Sequence, residues 1–439
     1  MLKRFLGGIH PKDSKGYTFD KAIEFPPLPS KVIIPVSQHI GVHCDPIVKV
    51  GDIVKKGQVI AKSEAFMHSP IHASLSGEVI NIAEMPHTSL VKCLSIVIKN
   101  DGLDKWIEGI PLHREWDKLE NEEIKDIIKN AGIVGLGGAT FPTHIKLSPS
   151  KDKNIDTFIV NAAECEPYLT ADYRMMLEYT ERIVTGVKIV MKLLDVNKCF
   201  VGIEDNKPEA VRVMKEAFKG TSVEVVSLPT KYPQGAEKML IKVLTNREVP
   251  SGGLPMDVGV VVQNVGTTVA ICDAVVSGIP LVERITTVSG DAIKNPKNLL
   301  LRIGTSFKEA IDYCGGFSKT PEKVIMGGPM MGFAQFTLEV PIIKGVSGIL
   351  ALSTDVVNSG EEGPCIRCGR CVKACPMGLV PSMLSILGER QRYKEAKDEY
   401  GLFNCIECGS CVYTCPAKRN IVQYIKYSKA QNLAQSAKK

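Results

Sequence analysis

At 439 residues, 44% hydrophobic and 23% charged, the chain has an ordinary globular composition and length for about two to four domains. Its formal charge of +6 sits after Cys415, on Lys418, Arg419, Lys426, Lys429, Lys438 and Lys439, with no interleaved aromatic and basic stripe, which argues against nucleic acid as a partner. No stretch approaches the roughly 18 consecutive apolar residues of a spanning helix, and the opening MLKRFLGGIHPKDSKG lacks an apolar run, so an unexported chain without its own membrane span is expected.

Residues 1–115 form the first expected unit. Within 41–81, alternating apolar positions with GD and KG turns predict short strands. The stretch resembles the half-barrel of biotinyl and lipoyl carriers, but Glu64, Ala65, Phe66 and Met67 stand where a carrier needs its lysine, so docking or packing is the expected role. His39, His43, His68 and His72 lack tight ligand spacing and read as surface or core histidines.

Residues 120–275 form the second unit. NEEIKDIIKN predicts an amphipathic helix opened by Asn121 as its cap, and Gly132, Gly135, Gly137 and Gly138 follow, leaving backbone N–H groups bare. Such a loop either cradles a phosphate or flat ring, or simply needs positive φ angles. Strand-like 155–167, a helix over 171–195, then KCFVGIED, KPEAVRVMKEAFKG, SVEVVSL and VGVVVQN alternate as in an α/β protein with a Rossmann-like sheet. Asn161, Glu164 and Glu166 follow one strand and Asn264 and Thr267 another, where such sheets gather ligands, although loop chemistry alone also favours these residue types.

Residues 280–345 carry MGGPMMG and are expected to act as a spacer module. Residues 355–428 then place CIRCGRCVKACP at 365–376 and CIECGSCVYTCP at 405–416. Each run is C-x2-C-x2-C-x3-C-P, the two-cluster iron–sulfur pattern in which the fourth cysteine serves the other cluster. One [4Fe-4S] cluster is therefore assigned to Cys365, Cys368, Cys371 and Cys415, and the second to Cys405, Cys408, Cys411 and Cys375. Zinc sites usually split their four ligands into two separated C-x2-C pairs. Between the runs MLSILGERQRYKEAKDEY reads as one helix, and the basic end 429–439 reads either as a frayed tail or as a dock for anionic lipid or an acidic partner. The remaining Cys44, Cys93, Cys165, Cys199, Cys272 and Cys314 read as reduced core residues.

GIVGLGGATFPTHIKL resembles the flavin and NADH loop of the NADH-binding subunit of respiratory complex I. VNAAECEP, YPQGAEKML and VQNVGTT resemble its other ligand segments, and residues 281–333 resemble its β-grasp (SLBB) module. With FLGGIHP at 5–11 and the paired cysteine runs, the whole chain resembles the RnfC family of Rnf electron-transport complexes.

The resemblance implies an α/β multidomain protein: a lipoyl-like half-barrel, a Rossmann-like FMN/NADH domain, an SLBB module and an α-helical two-[4Fe-4S] ferredoxin-like domain. It implies non-covalent FMN on Gly135, Gly137, Gly138 and Lys146, with Asn161, Glu164, Asn264 and Thr267 nearby and Phe141 stacking on the nucleotide. Glu166, Tyr232, Gly235 and Glu237 are placed on the flavin or nicotinamide side, with Glu166 and Glu237 as catalytic candidates. Leu136, Thr140, His144 and Ala236 depart from the complex I pattern.

Function follows as an expectation. Electrons from NADH would reach two [4Fe-4S] clusters through FMN and pass to membrane-embedded and iron–sulfur subunits of the same complex, on the cytoplasmic face of a bacterial membrane, with ferredoxin an indirect partner. A cobalamin reductase of bacterial microcompartments and a non-enzymatic ferredoxin-like adaptor stand as alternatives.

Overall fold

The computed structural model describes residues 4–150, 152–357 and 360–437; Lys438 and Lys439 of the basic end lie outside them. At its centre is a four-stranded parallel sheet in the order Val223–Leu228, Cys199–Glu204, Thr157–Asn161, Val260–Asn264. Successive side chains leave a strand on opposite faces, so a sheet covered on both sides needs nearly continuous apolar strands. Phe158, Val160, Val201 and Val261 enter one core and Ile159, Phe200, Val226 and Val262 the other.

Helices Thr180–Leu194 and Val265–Ser277 pack closely on one face because Gly186 has no side chain; a Cβ there would stand 2.0 Å from Thr268 O. The helix expected over 171–195 is divided at Tyr179 into Ala171–Glu178 and Thr180–Leu194. Helix Asn121–Asn130 is capped by Glu120, not Asn121, through a reciprocal pair with Glu123.

The half-barrel consists of a four-stranded sheet (Lys31–Pro35, Lys92–Asn100, Gly77–Pro86, Ile53–Val54) facing a three-stranded one (Asp45–Pro46, Val59–Lys62, Ile71–His72), around Val32, Ile34, Ile60, Ile71 and Ile96. His39, His68 and His72 are buried and His43 is exposed. His39 Nε2 accepts from Ser69 N–H, and burial, helped by the Lys344 ammonium, lowers the His39 imidazole to about 4.

The β-grasp sheet has six strands, in the order Ile23–Glu24, Lys297–Arg302, Glu283–Ser289, Gly348–Leu352, Lys323–Met326, Phe333–Ala334. Two of its members were not expected there. Gly348–Leu352 lies beyond the anticipated end at 345, and Ile23–Glu24 comes from the N-terminal segment. That segment is a strap that crosses the central and cluster units before the half-barrel begins.

The cluster unit is helical. The single helix expected between the cysteine runs is two, Pro381–Glu389 and Tyr393–Asp398, separated where Gln391 turns to φ +58°. The basic end is not frayed over its described part: helix Ile421–Ala437 runs through it, and Lys429 Nζ donates to Cys405 O at 2.7 Å and to Glu407 at 2.6 Å.

Candidate functional site: a glycine-loop edge joined to two cysteine cavities

Thr157–Asn161 pairs with Val260–Asn264 from Thr157 opposite Val260 to Asn161 opposite Asn264, so the two asparagines end side by side at the carboxyl edge of the sheet. The chain steps from Thr157–Asn161 to Cys199–Glu204 and Val223–Leu228 on one side and returns to place Val260–Asn264 on the other, and such a reversal of strand order is where α/β sheets take their ligands. The glycine loop lies over this edge. A Cβ on Gly137 would stand 3.3 Å from Asn264 Cβ, while Gly138, at φ +110°, faces open space.

The loop is held by Gly135 N–H to Phe141 O (2.9 Å), Thr140 N–H to Gly135 O (3.2 Å) and Leu136 N–H to Thr267 Oγ1 (2.9 Å). The N–H groups of Gly137, Gly138 and Ala139 have no acceptor among the described residues, and all three residues are exposed. Free donors on a loop of this kind take an anion or the polar rim of a flat ring.

Other expected residues converge on the same edge. Asn161 Nδ2 donates to Gly235 O at 2.8 Å, and Lys146 Nζ pairs with Glu237 Oε1 at 2.5 Å. Asn264 caps helix Val265–Ser277 by accepting from Gly266 N–H, and its Nδ2 donates to Asp172 at 2.6 Å. The Phe141 ring is half-buried. Gln234 was not anticipated: its buried Nε2 beside Gly235 finds no acceptor among the described residues, an omission worth about 1–3 kcal/mol unless a ligand completes it. Free donors on the exposed glycine loop, with the Lys146 cation and the two asparagines at the same sheet edge, fit FMN.

Three expected residues point elsewhere. Glu164 accepts from Asp172 N–H (2.7 Å) and Tyr173 N–H (3.2 Å), capping helix Ala171–Glu178. Glu166 accepts from Met330 N–H (3.0 Å) and Met331 N–H (2.9 Å), locking the acidic segment to the MGGPMMG loop of the β-grasp unit, and burial pushes its carboxyl up to about 7. A carboxylate so engaged is a clamp, which corrects its expected catalytic role. Tyr232 is buried and turned toward the cysteines, as described below.

Two buried lysines shape the acidic segment. Lys15 Nζ donates to the carbonyls of Glu164 (2.9 Å), Glu166 (3.0 Å) and Leu169 (2.5 Å), and Lys207 Nζ to Ala163 O (2.7 Å). Neither lysine belongs to a recognisable pattern, so the sequence carried no signal for them.

The cysteines sort into the two interlocked sets. Cys375, Cys405, Cys408 and Cys411 line a narrow inner cavity; Cys365, Cys368, Cys371 and Cys415 line a wider outer one. Among the described residues no group of three or more His, Cys, Asp or Glu converges closely enough for one metal ion. Thiolates arranged around a space, not on a point, fit a polyatomic cluster better than zinc.

The duplication extends to the backbone. Arg367 and Glu407 have φ +55° and +57°, Gly369 and Gly409 +72° and +78°, Gly378 and Lys418 +65° and +50°. Each pair is 40 residues apart, and both runs are therefore folded alike.

The glycine-loop edge and the inner cavity meet through a compact joint. Tyr232 OH donates to Cys408 O at 2.7 Å. Ile9 N–H donates to Tyr232 O (2.8 Å), Tyr232 N–H to Ile9 O (2.9 Å), and Gly8 N–H to Ala374 O (2.9 Å). Gly7, at φ +69°, passes so near that a Cβ would stand 2.5 Å from Cys375 O. The FLGGIHP strap and Tyr232 thus grip one ligand residue from each cysteine run, and Cys165 packs beside them, its Sγ accepting from Gly235 N–H at 3.3 Å. Of the other lone cysteines, Cys44, Cys93, Cys199, Cys272 and Cys314 are buried. The contacts of Tyr232 and the strap fall on Cys408 and Cys375, both of the inner set, so the inner set is proximal to the glycine-loop edge and the outer set distal.

Comparison with known proteins agrees with this layout. Family models match in order: an RnfC barrel sandwich hybrid domain over 3–103, a Nuo51 FMN-binding domain over 128–273, an SLBB domain over 285–334 and a 4Fe-4S dicluster domain over 359–416. The chain is 65% identical to a subunit of the proton-translocating ferredoxin:NAD(+) oxidoreductase complex of Clostridium ljungdahlii, over 99% of this chain and 95% of that one. It is 48% identical to the Na(+)-translocating counterpart of Acetobacterium woodii, over 99% and 98%.

Among solved structures, an NAD+-reducing [NiFe]-hydrogenase in the H2-reduced state shares the fold at TM-score 0.52 and 17% identity, over 74% of this chain and 65% of that one, which is just under two thirds of its length. The domain order, the paired cavities and the near full-length relatives agree, and the chain belongs to the RnfC family of Rnf-type ion-translocating ferredoxin:NAD(+) oxidoreductase complexes.

Proposed function

We propose that the chain is the nicotinamide-facing electron conduit of such a complex: NAD(H) reacts at the glycine-loop edge, and single electrons travel through the inner and then the outer cysteine site to membrane-embedded and iron–sulfur partner subunits. The observation that carries this reading is the joint. The segment Tyr232–Gly235 touches the ligand edge through Gly235 and the inner cavity through Tyr232 OH. Bound FMN supplies the exchange between a two-electron hydride donor and one-electron clusters.

The chain's own residues bind and orient. Free N–H groups at 137–139 hold the cofactor, Lys146 offers a cation to its phosphate, and Asn161 and Asn264 border its ring. Glu237, half-exposed beside Lys146, faces the open side where a nucleotide enters. Glu166 and Lys15 keep the edge rigid from behind, so that the reacting atoms meet without reorganisation. No helix among the described residues is long and apolar enough to cross a membrane, and cation movement is assigned to partner subunits, with ferredoxin reached indirectly through them. We propose that the chain itself works on the cytoplasmic face of the membrane.

Anaerobic reconstitution with iron, sulfide and FMN tests the proposal. Uptake of one flavin per chain, bleached on NADH addition, supports it; iron and sulfide uptake without flavin points to a ferredoxin-like adaptor.

A further inference from the structure

A cavity of about 280 Å³ lies between the central unit and the β-grasp unit. Met175, Val269, Ala270, Leu281, Ile285 and Leu300 give it apolar walls, and Phe25, 67% exposed, stands at its mouth. Gly137, Gly138, Lys146, Asn161 and Asn264 take no part in the lining, so the cavity is separate from the glycine-loop edge.

One polar group in this wall is incomplete. Arg284 is only 6% exposed, and its Nε donates to Val346 O and its Nη2 to Leu136 O, each at 2.6 Å. Nη1 has no acceptor, and the guanidinium has no ion-pair partner, among the described residues. The acids nearby are engaged elsewhere. Asp273 pairs with Arg182 at 3.6 Å and Glu283 with Arg302 at 2.9 Å, while Asp172, whose charge also reaches Arg284, accepts from Asn264 Nδ2 at 2.6 Å. Burial lowers the guanidinium to about 10, so it stays charged at neutral pH. A buried cation without a counter-charge is costly unless something completes it.

The walls set the rest of the ligand. A dry apolar cavity of about 150 Å³ holds one benzene ring, so this one admits a body of about two rings. A hydrocarbon would leave Nη1 unsatisfied and a cation would meet like charge; an anionic acceptor suits both the arginine and the walls. We infer that this cavity is a second ligand site, which takes a small aromatic carboxylate with its acid group on Arg284 and its rings between helix Val265–Ser277 and strands Glu283–Ser289 and Lys297–Arg302.

Occupation is felt at the glycine loop. The guanidinium that meets the ligand also holds Leu136 O, and Leu136 N–H donates to Thr267 Oγ1 at 2.9 Å. A third bond to the guanidinium stiffens the loop in the form that presents its free N–H groups. The carboxylate therefore tightens FMN, and by linkage FMN tightens the carboxylate by the same factor.

The test uses the full-length chain reconstituted with iron and sulfide, with 2-naphthoate as probe and 2-naphthamide as its uncharged counterpart. Calorimetric titration should show one 2-naphthoate bound per chain, and the amide bound tenfold or more weakly. Ala270→Leu and Leu300→Trp fill the cavity from opposite walls, and each should weaken 2-naphthoate tenfold or more with iron content unchanged. Saturating 2-naphthoate should tighten FMN threefold or more in the native chain and leave it unchanged in the filled variants.

Absence of 2-naphthoate binding, equal affinity for acid and amide, or native affinity in a filled variant with full iron content overturns the inference. Displacement of 2-naphthoate by FMN overturns it too, by placing the probe at the glycine-loop edge, and an unaltered FMN affinity overturns the coupling. All titrations are made without NADH, so the conduit reading and this one fail separately.

Discussion

Replacing one shared ligand at a time separates the two cavities. Cys375 lies in the first sequence run but lines the inner cavity with Cys405, Cys408 and Cys411, whereas Cys415 lies in the second run and lines the outer one. Serine is a poor ligand for thiophilic iron, so Cys375→Ser and Cys415→Ser should each lower iron from about eight to about four per chain. The electrons each variant draws from NADH should differ. The intact chain stores about four, two on flavin and one on each cluster. Cys415→Ser, which keeps the inner cluster against Tyr232 and Cys165, should still take about three. Cys375→Ser should take only about two, because its surviving cluster is the outer one, whose ligands lack the contacts to Tyr232 and the strap that Cys408 and Cys375 make. Anaerobic NADH titration followed by low-temperature EPR reads these numbers, and dithionite reports the clusters that NADH cannot reach. Equal electron uptake by the two variants would refute the inner-to-outer order.

Further expectations concern the joint, the ligand edge and pH. Gly7→Ala brings a Cβ to 2.5 Å from Cys375 O at φ +69°, so strap or ligand must move by roughly 1 Å; NADH reduction of the clusters should slow by about tenfold or more while dithionite reduction persists. Gly16→Ala, with nothing within 4 Å, is the control expected to behave as native. Lys146→Ala should weaken FMN uptake by about tenfold or more, measured by fluorescence titration, since a charge-assisted phosphate contact is worth about 1.5–3 kcal/mol and this lysine is partly solvated. Glu166 has its carboxyl raised to about 7, against 4.5 in an exposed chain. Between those values the folded state holds a proton that the unfolded state has lost, so stability should fall as pH rises through that window, by at most about 3 kcal/mol. Melting temperatures measured at several pH values across that window should show this fall, and Glu166→Gln should flatten it; an unchanged slope in the variant removes Glu166 as its source.

The cysteine assignment was legible because spacing and pairing leave few solutions, and glycine and asparagine positions were legible because backbone conformation selects those residue types. Side-chain direction was not. Glu164 and Glu166 are two residues apart and in an extended chain would face one way, but Glu164 adopts φ +46°, so each carboxylate finds a different partner. The family resemblance grouped Tyr232 with Gly235 on the ligand side; its pairing with Ile9, more than two hundred residues away, turns the ring to Cys408. The same long-range packing hid the strap and Lys15. The helix break at Gln391 was missed because the nearby Gly388 stays inside the first helix, packed against Tyr424 and Ser428, and the basic end seemed unsupported because its counter-charge, Glu407, lies in the preceding cysteine run.

The central claim is that electrons enter at the glycine-loop edge and leave through the inner cysteine site. A freeze-quench time course of NADH oxidation by the reconstituted chain, run beside the same protein stripped of FMN, addresses it most directly. Flavin bleaching followed by cluster signals, with neither reduction in the stripped protein, is the expected result; clusters reduced by NADH at the same rate without flavin would contradict the account.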